Sequence, residues 1–298
     1  MVGEITNMIV SFLTPTYNRG YILGQLYASL CAQSLKDFEW IVIDDGSVDE
    51  TEALILQWKR LNVIPIKYHK QENGGKHRAL NVGVLMVESP YTCIVDSDDY
   101  LVKDAVALIE DWTQQIHNQQ NFAGVSGVRK TPGGELIGMF PENEVFVDAT
   151  DIQRRQYRLE GDKAEVYKTD LLRNYPFPEF TGENFLSECA VWNRIGMDGY
   201  YIRWFRDALI ICQYREDGLT MTSDKEVNNY QGYTYVIKQQ LEYEPFFRRL
   251  ALIAQYDHLM KGNLEDGSDV CSKLQISRVE QTLARWGKSL YAWVKKWT

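Results

Sequence analysis

Short apolar runs alternate with helical periodicities through the first third of the chain. Ile9-Val10-Ser11-Phe12-Leu13, Trp40-Ile41-Val42-Ile43, Ile64 to Tyr68 and Tyr91 to Val95 are rich in β-branched and aromatic residues and read as buried strands. Between them, apolar positions recur every three or four residues: Ile22, Leu26, Leu30; then Leu54, Ile55, Trp58, Leu61; then Ala79 to Met86. After the fourth strand the same pattern runs through Leu101, Ala105, Leu108, Ile109 and Trp112. This βαβα order predicts an α/β fold with a mostly parallel central sheet and helices on both faces.

Beyond Asn121 the rhythm loosens. Phe122 to Val128 reads as a strand, Thr131-Pro132-Gly133-Gly134 as a turn, and Glu135 to Phe140 as a returning hairpin arm. Residues 175–188 read as a loop, Leu209 to Cys212 as a last strand, and the chain from Asn228 onward as helical, broken at 262–267. The pattern divides into 1–225, a catalytic-type domain, and 226–298, a helical C-terminal extension.

The extension ends amphipathically. Val279, Leu283, Trp286, Leu290, Trp293, Val294 and Trp297 fall at helical spacing, while Arg278, Arg285, Lys288, Lys295 and Lys296 face one acid, Glu280. Such a segment, 278–298, suits an anionic membrane surface or packing on the catalytic domain or a second subunit, as in a homodimer.

Composition narrows the class. Hydrophobic content of 45% supports a large core, and a net charge of -9 argues against a general nucleic-acid binder. Five scattered cysteines without CxxC spacing fit a reducing cytoplasm and argue against structural zinc. No signal-peptide pattern and no long apolar span are visible, so a cytoplasmic protein, peripheral at the inner face of the cytoplasmic membrane if its tail binds there, is expected.

Four polar motifs follow the first four strands and carry the chemistry. Thr14-Pro15-Thr16-Tyr17-Asn18 lacks the glycines of a dinucleotide fingerprint but offers backbone groups and an aromatic face. In Asp44-Asp45-Gly46-Ser47, Asp-Gly makes a turn, and Ser47 with Glu50 reads as a capping box; a strand-edge carboxylate there suits a base edge or a ribose hydroxyl. Asn73-Gly74-Gly75-Lys76 opens a helix, where amides, helix dipole and ammonium together suit an anion. Asp96-Ser97-Asp98-Asp99 puts three carboxylates at one strand edge, a concentration that calls for a hard divalent cation.

In this order the motifs resemble the family 2 glycosyltransferases with the GT-A fold, over roughly residues 8–220. The resemblance implies transfer of one sugar, with inversion, from a nucleotide-diphosphate sugar (a UDP-sugar foremost) to a hydroxyl of a glycan or lipid-linked acceptor, in cell-surface polysaccharide synthesis. It implies that Thr14, Pro15, Tyr17, Asp45, Lys76, Asn81 and Asp98 bind the donor. Asp98 and Asp99 match the DXD-type pair, in which one carboxylate contacts ribose and the other binds Mn2+ or Mg2+ on the diphosphate. The resemblance leaves open which of Asp96, Asp98 and Asp99 is the ligand, with Asp96 favoured as support, and Asp217 stands where many relatives place a further ligand. By its distance from Trp192, Glu188 takes the place of the catalytic base, with Glu183 as runner-up; Ser187 replaces a glutamate usual in the family.

Other readings fit less well. A haloacid-type phosphatase places its acidic motif after the first strand, and a nucleotidyltransferase has a glycine-rich basic loop there. A catalytically inactive glycosyltransferase-like binding module remains the alternative, motivated by Ser187. Gln281 to Trp286 is one residue too long for the Gln-x-x-Arg-Trp motif of processive synthases.

Overall fold

The computed structural model describes residues 8–213, 225–260 and 269–297, with side chains as far as 287. A nine-stranded sheet forms its centre. The first four strands are β1 (Val10–Thr16), β2 (Phe38–Asp44), β3 (Ile66–Lys70) and β4 (Tyr91–Ile94). They pair in parallel in the order β3-β2-β1-β4, so their C-terminal ends form one edge. That edge is where ligands bind in open α/β sheets.

Beyond β4 the sheet is mixed. It continues through β8 (Lys163–Lys168), β6 (Phe122–Lys130), β9 (Tyr201–Ile211) and the short β5 (Tyr100–Leu101), while β7 (Phe146–Thr150) pairs with β9. β7 and β8 went unrecognised in the sequence because Lys163, Glu165 and Asp148 interrupt their apolar alternation. Conversely, Glu135 to Phe140 forms no hairpin arm; one isolated bridge, Lys130 to Leu136, is all the pairing this stretch makes. β9 runs far longer than the predicted Leu209–Cys212.

Helices cover both faces. α1 (Leu23–Cys31), α2 (Thr51–Leu61) and α4 (Ala105–Gln114) pack on one side through Leu23, Leu26, Leu30, Ile55, Trp58 and Ile109. There the buried Trp40 donates its indole N–H to Thr14 Oγ1 at 2.9 Å, and Tyr27, Trp40 and Trp58 form a three-ring cluster in which Tyr27 stacks on Trp58 at 4.2 Å. On the other face lie α3 (Lys76–Met86), the short α5 (Thr169–Arg173) and α6 (Cys189–Met197), with Leu80, Val84, Trp192 and Ile195 in the core. A 3-10 turn, Asp151–Gln153, packs against α6.

The C-terminal helices are the short α7 (Lys225–Asn228), then α8 (Tyr230–Tyr243), α9 (Phe246–Met260), α10 (Val270–Leu274) and α11 (Arg278–Trp297). They bury a third cluster around Ile237, Ile253, Tyr256 and Ala284. α8 is fastened to α6 by polar contacts: Gln239 Nε2 donates to Ala190 O at 3.0 Å and the Tyr243 hydroxyl to Asn193 Oδ1 at 3.2 Å.

Candidate active site

The ends of β1, β2 and β4 and the start of α3 bring the four motifs together. Asp45, just past β2, organises them. Its buried carboxylate accepts from Gln71 Nε2 (2.8 Å), Asn73 Nδ2 (3.2 Å) and the amides of Gly74 (2.9 Å) and Gly75 (2.7 Å). Those bonds fill the roughly four acceptor positions of a carboxylate. Gly75 is required here: it has φ +98, and a Cβ would lie 1.8 Å from Asn184 O. Asp44 is likewise engaged, by the Ser47 amide at 2.7 Å and the Tyr68 hydroxyl at 2.8 Å.

The predicted Ser47–Glu50 capping box does not form. Ser47 Oγ instead accepts from the Asn18 amide at 2.8 Å, joining the first two motifs, and Asp49 accepts from the Thr51 amide at 3.0 Å at the start of α2. In the first motif Tyr17 is exposed, Pro15 is buried in β1, and the buried Thr14 hydroxyl accepts from Trp40. Thr16, also in that motif, ends β1 with a buried hydroxyl oxygen that has no hydrogen-bond partner.

The tetrad alternates in exposure. Asp96 and Asp98 are half-buried, whereas Ser97 and Asp99 point inward. Asp99 Oδ2 accepts from Arg129 Nη1 at 2.9 Å and from Cys212 Sγ at 3.2 Å. Burial outweighs the Arg129 charge, and with help from Asp96 pushes the Asp99 carboxyl up to about 7. Of the expected Asp98–Asp99 pair, Asp99 is thus held by an internal arginine. Asp98 is raised by burial and by the charge of Asp96.

Glu188 stands at the start of α6 without a side-chain capping bond, so it is not there as a helix cap. Lys76, the first residue of α3, joins it to the tetrad: Nζ lies 2.5 Å from Asp96 Oδ1 and 2.8 Å from Glu188 Oε1. Burial works against the ammonium, yet Asp96 and Glu188 outweigh it and hold Lys76 well above its usual range. Asp96 is lowered in turn: burial opposes, but the Lys76 and Arg129 charges prevail.

Two predicted residues serve the scaffold. Glu183, the runner-up base, accepts from the amides of Gln231 (2.7 Å) and Gly232 (2.8 Å), capping the first turn of α8 with both oxygens. Asn81 bonds Phe177 through N–H and C=O and reaches Glu179 Oε1 at 3.0 Å. Arg78, missed in the sequence, works beside it: Nε meets Glu179 Oε2 at 3.1 Å and Nη2 donates to Phe180 O at 2.9 Å. One face of α3 thus pins the loop that delivers Glu188. Asp217 lies outside the described residues.

The carboxylate oxygens at this corner are the donor type a hard divalent cation takes. Among the described residues no three metal-binding side chains form a ready-made cluster. A hard cation on a diphosphate needs only one or two protein carboxylates, its other ligands being phosphate and water. Asp96 and Asp98 offer those.

Residues 11–134 match the model of glycosyl transferase family 2. The poly(ribitol-phosphate) beta-N-acetylglucosaminyltransferase TarS of Staphylococcus aureus is 29% identical over 180 residues, covering 58% of this chain and 30% of TarS. The GalNAc(5)-diNAcBac-PP-undecaprenol beta-1,3-glucosyltransferase of Campylobacter jejuni is 27% identical over 240 residues, 77% of this chain and 73% of that protein. The chain spans about a third of the length of several curated relatives it matches. Among solved structures, TarS 1–349 in complex with UDP-GlcNAc superposes with TM-score 0.61 at 22% identity, over 93% of this chain and 79% of that one. The mannosyltransferase PcManGT of Pyrobaculum calidifontis, in complex with GDP-Man and Mn2+, gives 0.57 at 18% identity, over 94% and 79%. The architecture is the GT-A fold, and residues 11–134 are a glycosyl transferase family 2 domain.

His77, beside Lys76, is buried with no partner for Nδ1. Burial, then the Arg78 charge, lowers it to about 4 from its ordinary 6.5. Below 6.5 the unfolded chain binds the proton and the folded chain does not, so stability present at neutral pH declines as pH falls from 6.5 through about 4. Melting temperatures over this range should fall less steeply in His77→Leu than in the unaltered chain; equal slopes would contradict this reading.

Proposed function

We propose that this chain transfers a single sugar from a nucleotide-diphosphate sugar, a UDP-sugar in the first instance, to a hydroxyl of a glycan or lipid-linked acceptor, with inversion. The observation that carries this is the Lys76 bridge. One ammonium contacts both Asp96, at the leaving-group corner, and Glu188, a carboxylate free of helix capping. A donor lying along the edge of β1, β2 and β4 would set its anomeric carbon between the two.

In this reading the backbone of Thr14 and Pro15, the Tyr17 ring and Asp45 form the nucleotide pocket. Asp45 would trade an internal amide for the N–H of the base. Asp96 and Asp98 hold Mn2+ or Mg2+, with Asp217 a proposed further ligand. The cation supplies charge stabilisation to the departing diphosphate. Glu188 accepts the acceptor hydroxyl's proton as its oxygen attacks the anomeric carbon and the bond to the diphosphate breaks. The names of TarS and of the Campylobacter enzyme support an acceptor in cell-surface polysaccharide or undecaprenol-linked glycan synthesis.

The tail supports a membrane-surface reading of the acceptor. α11 packs on α9 through the buried Ala284, while Val279 and Trp286 are 67% and 72% exposed and Leu283 is 40% exposed. Among the described residues no helix is long and apolar enough to cross a membrane.

Glu188→Gln should lower kcat for sugar transfer by about 10²–10⁴-fold with donor affinity nearly unchanged; near-normal turnover would remove Glu188 as the base. For the tail, the double substitution Leu283→Ser with Trp286→Ser should reduce co-sedimentation with vesicles containing anionic lipid. Unchanged sedimentation would reject the membrane reading, and loss of a dimer instead would assign the face to a second copy.

A further inference from the structure

Lys76 is fixed from behind and committed in front. Asp45 grips the two residues before it, Gly74 and Gly75, at 2.9 and 2.7 Å. Its ammonium lies 2.5 Å from Asp96 Oδ1 and 2.8 Å from Glu188 Oε1. Without donor, this side chain covers one of the two carboxylates that the proposed reading gives to a divalent cation.

We infer that Lys76 is an internal counter-cation that competes with free metal for Asp96, so that metal binds strongly only together with a nucleoside diphosphate. The inference rests on the cation corner of the proposed function. An ammonium at this distance neutralises Asp96 and repels a second cation in a partly desolvated cleft. An incoming diphosphate gives the ammonium another anion to meet. Lysine suits the exchange, since its flexible stem carries three freely rotating donors. Asp96 is then released to the metal, and by linkage the nucleotide and the metal each strengthen the other's binding.

The test is a Mn2+ titration of the full chain, read from the paramagnetic resonance signal of free Mn2+, with and without UDP. The unaltered chain should bind Mn2+ weakly alone and much more tightly with UDP. Lys76→Met should bind Mn2+ alone on the order of ten-fold more tightly and lose most of the gain from UDP. Lys76→Gln, which keeps a polar head without the charge, should do the same if the methionine variant folds poorly, whereas Lys76→Arg should stay near the unaltered chain. Binding of free Mn2+ no tighter in the neutral variants overturns the inference alone. Absence of Mn2+ binding in every chain, even with UDP, overturns the cation corner and the inference with it. Neither readout depends on Glu188 acting as the base.

Discussion

The site depends on one carboxylate that is fully occupied. Asp45 holds the Asn73-Gly74-Gly75 turn through three donors and Gln71 through a fourth, and that turn sets the start of α3. From there Lys76 projects to Asp96 and Glu188, while Arg78 and Asn81 staple the 177–183 segment that leads to Glu188. Asp96 and Glu188 come from regions of sequence about ninety residues apart. Their mutual position is set by this single turn and helix.

Charge organises the same corner. Three carboxylates follow β4, and the fold treats them unequally. Asp99 is drawn inward to Arg129, Asp96 meets Lys76, and Asp98 remains the carboxylate whose ionisation is opposed by burial and by its neighbour. A turn sorts them, closed by the Asp99 amide donating to Asp96 O at 3.1 Å, so that Asp96 and Asp99 face different sides. The helical extension enters the same logic through Glu183, which caps α8 and so ties the loop before Glu188 to the C-terminal helices.

Much of this was legible in the chain. β1, β2 and β4 are short β-branched runs buried on both faces, which leave a strong signal, and the motifs after them lie at the predicted edge. β7 and β8 were not legible, because their charged residues answer partners far along the chain: Asp148 pairs with Arg203 at 2.7 Å. The same limit applied to roles within the site. Thr14, Asn81, Glu183 and Asp99 carry the residue types of a donor site, yet their polar atoms meet Trp40, Phe177, the start of α8 and Arg129. Motif spacing fixes where a residue sits along its strand or helix. It does not say which distant donor reaches it first.

The central claim is that this edge binds a nucleotide-diphosphate sugar with a divalent cation. Thermal unfolding across a panel of UDP-, GDP- and dTDP-sugars, with and without Mn2+, tests it most directly. A ligand at about a hundred times its Kd adds roughly 2.7 kcal/mol to the native state, enough to raise the melting temperature by several degrees. The account predicts such a rise for at least one nucleotide sugar, foremost a UDP-sugar, dependent on Mn2+ and lost in Asp98→Asn. A panel in which no nucleotide sugar shifts the transition under either condition would contradict it.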